Sequence, residues 1–249
     1  MNTELVGIKI IQLAETASTN NALKKLLNRE VVPEGLVVLT DYQTLGRGQF
    51  GNSWESDRAQ NLLLSTIFYP KFLRLSESYR LTMSVCLGIC DFLETLGFQP
   101  KIKWPNDVLI EGKKVSGTLL ESSLNVTQFE HVVVGIGLNV NQQDFESENA
   151  ISLKQLSGVN YSLDILSKNL FGHLSKRYQQ LKAGDSAKQQ RSFNANLHGQ
   201  NQRVPILWKT KEYWVYCRGV DPQGNLLVEF DDSSFQLFRH KEISFKLKS

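Results

Sequence analysis

The sequence predicts an α+β fold, a mixed and largely antiparallel sheet carrying helices, followed by a small all-β segment. Three observations carry this prediction. Strand-like runs at 35–40, 61–69, 101–122 and 129–140 follow one another as meanders and hairpins rather than alternating with helices. Residues 76–96 and 162–182 carry apolar side chains at helical spacing. From about residue 199 the chain turns entirely to short strands and turns. With 249 residues, 41% hydrophobic and 21% charged, the chain has room for one large domain, 1–198, and a small one, 199–249.

Taken in order, residues 8–13 read as a short strand. Ser18, Thr19 and Asn20 precede Leu23, Leu26 and Leu27, the pattern of a capped helix start. A buried strand follows at 35–40, then a glycine-rich loop, then the strand NLLLSTIFY at 61–69, stopped by Pro70. In 76–96 the apolar positions Tyr79, Met83, Cys86, Cys90 and Leu93 mark one helix face, and Gly97 ends it. Short strands at 101–104, 107–111 and 114–122 form a meander with a turn expected at Gly112-Lys113. FEHVVVGIGLNV at 129–140 is another strand, and 162–182 a helix with Leu163, Leu166, Leu170, Leu174, Tyr178 and Leu181 on one face. After 199, RVPILW, EYWVYCRGV, NLLVEF and SFQLFRHKEISFKL suggest a small β-barrel. Asp221-Pro222-Gln223-Gly224 suits a type I turn.

A net charge of +3, without a long basic run, gives no argument for nucleic acid. Three cysteines without a C-x-x-C pattern argue against a disulfide framework or zinc site, and Cys86 and Cys90 read as helix core. No stretch approaches the ~20 apolar residues of a membrane helix, and the start lacks a signal-peptide pattern. The cytoplasm is the expected compartment.

The loop Gly46-Arg47-Gly48-Gln49-Phe50-Gly51 is a literal G-x-G-x-x-G. A dinucleotide site needs a helix opening at the last glycine and an acid about 20 residues on; neither is present. A Walker loop is excluded because no Gly-Lys-Ser/Thr follows. The loop could still offer N–H groups to an anion with Arg47 as a clamp, or be a plain surface loop. KWPND at 103–107 in isolation reads as a strand-ending turn. KKVSG at 113–117 reads as hairpin lysines of which only one can face a given cleft. GIGLN at 135–139 is either a bulge or a place where a ligand comes close. Ser18-Thr19-Asn20 caps a helix and also suits a polar ligand.

The order STN, Q-x-x-G-R-G-x-x-G-x-x-W, KWPND, K-x-x-G and G-x-G-x-N, from Ser18 to Asn141, resembles the biotin protein ligases. The resemblance implies the catalytic fold shared by class II aminoacyl-tRNA synthetases and biotin and lipoate ligases, closed by a C-terminal SH3-like barrel. It implies activation of biotin by ATP and Mg²⁺ to biotinyl-5'-AMP and transfer to a lysine of a biotin carboxyl carrier protein. Arg47 and Lys114 match the catalytic cations, and K-x-x-G to Gly117 selects Lys114 over Lys113. Ser18, Thr19, Asn20, Gln43, Gly46, Arg47, Gly48, Gln49 and Lys114 match positions that hold biotin, with loop N–H groups at Gly46 and Gly48 against the ligand. Gly117, Gly135 and Gly137 are expected to leave room for the bicyclic ring and chain. Trp54 resembles the aromatic that packs on adenine, and Lys103, Asn106, Asp107 and Asn139 are expected near the nucleotide with Arg47 and Lys114.

Two departures stand out. Many relatives carry a second loop arginine where this chain has Gln49, and some a further basic residue where it has Asn52. Some relatives also carry an N-terminal winged helix; with 17 residues before Ser18, no operator binding is expected. The competing readings are a lipoate or octanoate ligase, a cysteine-dependent acyl transferase, and a binding module that has lost its chemistry. Metal ligands are not assigned, and a monomer and a homodimer both remain open.

Overall fold

The computed structural model describes residues 5–246. Leu247, the last apolar residue of the terminal strand-like run, lies outside them. The first unit is built from β1 (Ile10–Leu13), α1 (Thr19–Leu27), β2 (Val37–Thr40), β3 (Leu62–Phe68), α2 (Tyr79–Thr95), β4 (Lys101–Lys103), β5 (Asp107–Ile110), β6 (Lys113–Leu124) and β7 (Phe129–Leu138). Three helices follow, α3 (Leu153–Ser157), α4 (Leu163–Lys182) and α5 (Ser186–Ala195). The last unit comprises β8 (Val204–Trp208), β9 (Lys211–Val220), β10 (Leu226–Phe230), β11 (Phe235–Phe238) and β12 (Ile243–Phe245).

Seven strands form one sheet in the order β1-β2-β3-β7-β6-β5-β4. Only β1 and β2 run parallel; every other pairing is antiparallel. The α+β class read from the sequence holds. Side chains alternate across the sheet. On one face Leu23 of α1 packs with Val38, Ile67 and Val133. On the other, α2 and α4 cover Leu62, Leu64, Val134, Ile136 and Leu138. The C-terminal strands form a second antiparallel sheet, β11-β10-β9-β8-β12. β11 and β12 are its edges in the pairings described, so no hydrogen-bonded ring closes it as a barrel. Its core residues Ile206, Val215, Cys217 and Phe238 continue the core around α2.

Most predicted elements lie within a residue or two of their observed bounds. The β5–β6 turn is a correction. It is made by Glu111 and Gly112, at φ 52° and 80°, while Lys113 already pairs with Ile110 in β6. Positive φ at both positions is the mark of a type I′ two-residue loop, and that places the turn one residue earlier than expected. Helices α3 and α5 were not foreseen. The Asp221 turn forms as read, its Gly224 N–H donating to the Asp221 carbonyl at 3.0 Å.

Candidate active site

On the α1 face of the sheet the chain lacks side chains at Gly117, Gly135 and Gly137, which stand on neighbouring strands, with Gly117 opposite Gly137. A cavity of about 270 Å³ opens there. All five sequence motifs reach it, and every predicted site residue lines it except Gly46 and Asn139.

Lys114 and Gly117 share this wall because of a bulge. Three residues apart in a regular strand, they would point to opposite faces. The β5–β6 register skips one residue at Val115, so Asp107 pairs with Gly117 while Leu109 pairs with Lys114. The Lys114 side chain lies over Gly117, where a Cβ would come 2.9 Å from its Cε. The Lys114 backbone is held by a loop: its N–H donates to Asn149 O at 2.7 Å, and its carbonyl accepts from Ile151 N at 3.0 Å and Asn139 Nδ2 at 3.3 Å. Asn139 therefore braces Lys114 from behind the wall. Its Oδ1 is buried without a partner.

Asp107 orders the cations. Its two carboxylate oxygens meet Lys114 Nζ at 2.7 Å and Lys103 Nζ at 3.0 Å. Burial raises its pKa, but the two ammonium groups outweigh burial and hold the carboxyl below the ordinary carboxylate value. Asn106 is fixed to β6 by donating to Thr118 O. Trp104, between them, is buried and donates from Nε1 to Gly224 O at 2.8 Å, tying the motif to the C-terminal unit.

At the other end of the cavity the N-terminus of α1 meets Gln43. Ser18 occupies the cap position without using its hydroxyl as a cap. Gln43 Oε1 instead accepts from Thr19 N at 2.8 Å and from Thr19 Oγ1 at 3.1 Å. Ser65 Oγ lies 2.7 Å from Thr19 Oγ1 and 2.5 Å from Asn20 Oδ1, so the α1 polar groups form one fixed array.

The glycine loop is braced from within. Gly48 N donates to Asn52 O at 2.6 Å, and Trp54 N to Gly46 O at 3.0 Å. Gly46 packs behind Trp54, where a Cβ would sit 2.6 Å from the Trp54 carbonyl oxygen. The sheet glycines line the cavity and also make room for the protein's own side chains. A Cβ at Gly137 would come 2.3 Å from Trp54 Cε2, and one at Gly135 2.4 Å from Asn20 Oδ1. These glycines admit the side chains that, with them, make the cavity wall. Lys114 Nζ stands 5.3 Å from the Trp54 ring centroid. Trp54 Nε1 and Gln49 Oε1 are buried without partners.

Lys241, Ile243, Ser244 and Phe245 complete the wall from the C-terminal unit. Sequence reasoning missed them, as it missed Glu121, which holds Arg47 Nη2 at 3.2 Å. Burial drives the Cys86 thiol up to about 12 and Cys90 well above its usual value, so neither offers a thiolate near neutral pH. All three cysteines are buried and none lines the cavity, which argues against the cysteine-dependent transferase. Among the described residues no group of three or more His, Cys, Asp or Glu could hold a metal. Asp107, the carboxylate in the cavity wall, has both oxygens engaged by lysines.

Residues 13–139 match the Biotin/lipoate A/B protein ligase family. The chain is 31% identical over 247 residues to the bifunctional ligase/repressor BirA of Bacillus spizizenii, covering 96% of this chain and 74% of that protein. It is 31% identical over 224 residues to the biotin--[acetyl-CoA-carboxylase] ligase of Mycobacterium tuberculosis, covering 87% of this chain and 82% of the relative. Among solved structures, the biotin protein ligase from Aquifex aeolicus in complex with biotin and ATP superposes with a TM-score of 0.79 at 25% identity. That match covers 97% of this chain and all of the other.

Proposed function

The chain belongs to the biotin/lipoate A/B protein ligase family, and on that premise we propose that it is a biotin protein ligase. It activates biotin with ATP as biotinyl-5'-AMP and transfers the biotinyl group to a lysine of a carboxylase carrier protein. The observation that carries this reading is the joining, in one cavity, of a cationic end at Lys103 and Lys114 to a neutral donor–acceptor end at Ser18, Thr19 and Gln43, with Arg47 at the rim beside α1.

The cavity matches the two substrates by halves. Gln43 Oε1 is committed to Thr19, which turns its amide donor the other way, beside Gly46. Such a fixed array suits the compact ureido ring of biotin and rejects ligands that leave it unpaired. The biotin carboxylate then lies toward the cations. Its oxygen attacks the ATP α-phosphorus, the bond to the β-phosphate oxygen breaks, and pyrophosphate leaves. Negative charge builds around the α-phosphate, where Lys114 and Arg47 stabilise it. Asp107 holds Lys114 and Lys103 in place without cancelling both charges. In the second step the carrier lysine amine attacks the acyl carbon, the bond to AMP breaks, AMP leaves, and the ammonium proton passes to solvent. Lys114 and Arg47 stabilise the departing phosphate. The unpartnered Trp54 Nε1 supports adenine at the Trp54 end. The C-terminal sheet is assigned as the SH3-like unit, its Lys241–Phe245 segment covering the cationic end.

Among the described residues no helix is long and apolar enough to cross a membrane. Cytoplasmic residence, where carboxylases and reduced thiols are found, completes the proposal; the three cysteines are free and buried. The test is transfer itself. Purified protein with biotin, Mg²⁺-ATP and an isolated carrier domain should add one biotinyl group to one lysine by intact mass. A carrier with that lysine changed to arginine should stay unmodified. An unmodified wild-type carrier refutes the reading.

A further inference from the structure

Arg47 does not point freely into the cavity it lines. Its Nη2 donates to Asn21 Oδ1 at 2.8 Å and to both oxygens of Glu121, at 3.3 and 3.2 Å. Glu121 has two further partners. Lys24 Nζ lies 2.7 Å from Oε1, and Asn20 Nδ2 donates to Oε2 at 2.7 Å. Burial raises the Glu121 carboxyl, but these bonds and the charges of Lys24 and Arg47 leave it below its ordinary pKa, so it is anionic at neutral pH.

This arrangement is asymmetric. If Arg47 leaves, Glu121 keeps a cation and an amide donor. If Arg47 stays, its charge is divided between Glu121 and anything anionic in the cavity. The Arg47 side chain is 40% exposed and that of Glu121 22%, so their bond is worth little and is easily exchanged. We propose that Glu121 is a positioning residue that competes with the anionic ligand for Arg47. It presents the guanidinium at the cavity rim and sets how tightly carboxylate and phosphate groups are held there. Glu121 acts only through Arg47, and Asn21 shares the holding position. The proposal rests on the ligase reading for the identity of the anions.

The test is calorimetric titration of the full chain with three probes: biotin, uncharged biotinamide, and inorganic pyrophosphate. Glu121→Gln keeps an acceptor for Asn20 and removes the anion that holds Arg47, leaving it Asn21. It should tighten biotin and pyrophosphate by about two- to five-fold, the range of an exposed ion pair, and leave biotinamide unchanged. Asn21→Ala changes no charge and should shift the two anions in the same direction by a smaller factor. In an Arg47→Ala background, Glu121→Gln should do nothing. Equal tightening of biotinamide, weaker anion binding, or an undiminished effect without Arg47 would overturn the proposal. If wild-type protein binds pyrophosphate but not biotin, the ligase reading fails while pyrophosphate still tests the competition.

Discussion

Replacing Gly137 by alanine would set a methyl group 2.3 Å from Trp54 Cε2 and 2.5 Å from Cζ2. Ordinary contact begins near 3.4 Å, so either the strand or the indole must withdraw by about 1 Å, the scale of overpacking. The strand cannot yield readily. Gly137 is paired on both sides, with Leu63 and Gly117, near the middle of the sheet. The indole must move, and Lys114 loses the ring beneath its ammonium. Overpacking of this kind costs about 2 kcal/mol, a fall in Tm of roughly 4–8 °C for a chain of this size. Thermal unfolding measures the cost, and ATP–pyrophosphate exchange measures its consequence. KM for ATP should rise about ten-fold, the equivalent of 1.4 kcal/mol, with the KM for biotin changing less. Gly117→Ala meets the flexible end of Lys114 at 2.9 Å and Trp54 Cζ3 at 3.1 Å, looser approaches than at Gly137, and should destabilise least. Gly135→Ala, against Asn20, should fall on biotin instead. A Gly137→Ala protein with unchanged Tm and unchanged KM for ATP would refute the packing argument.

Lys114→Met should lower kcat of the exchange by about 10²–10³, as expected for removing one preorganised charge at the reacting phosphate, with a folded protein by circular dichroism. Asp107→Asn leaves Lys103 and Lys114 without their shared anion. Because the folded-state pKa of Asp107 is depressed, its stabilisation is fully present above the unfolded carboxylate value and disappears as pH falls through the folded one. The stability deficit of Asp107→Asn should therefore be full at pH 7 and shrink below about pH 4; a deficit that persists in acid would contradict the ion-pair origin. Gln49→Arg should slow release of biotinyl-5'-AMP by about ten-fold or more, from a charge-assisted bond to phosphate. An unchanged dissociation rate would show that Gln49 does not set retention.

The parts of the site visible in the sequence are those whose chemistry is local. Glycine at 135 and 137 within an apolar strand signals a close approach, and Arg47 between two glycines signals a loop that carries a charge. What approaches was not legible. The glycines receive Trp54 and Asn20, side chains from other segments. The bulge at Val115 was equally silent, since a β-branched residue in a strand run gives no sign of an extra position, yet it sets Lys114 above Gly117. Helix α5 hides because among its residues only Gln189 and Phe193 are buried, too few for a helical period. The wall formed by Lys241–Phe245 depends on docking through Trp104 and Gly224, 120 residues apart in the chain. Glu121 is an ordinary strand glutamate until α1 and the glycine loop fold against it.

The most direct measurement is ATP–pyrophosphate exchange by the purified protein with biotin and with lipoate in separate reactions. Exchange with biotin and none with lipoate is the predicted result. Exchange with lipoate alone would move the activity to the lipoate branch of the family, and exchange with neither would contradict a ligase at this site.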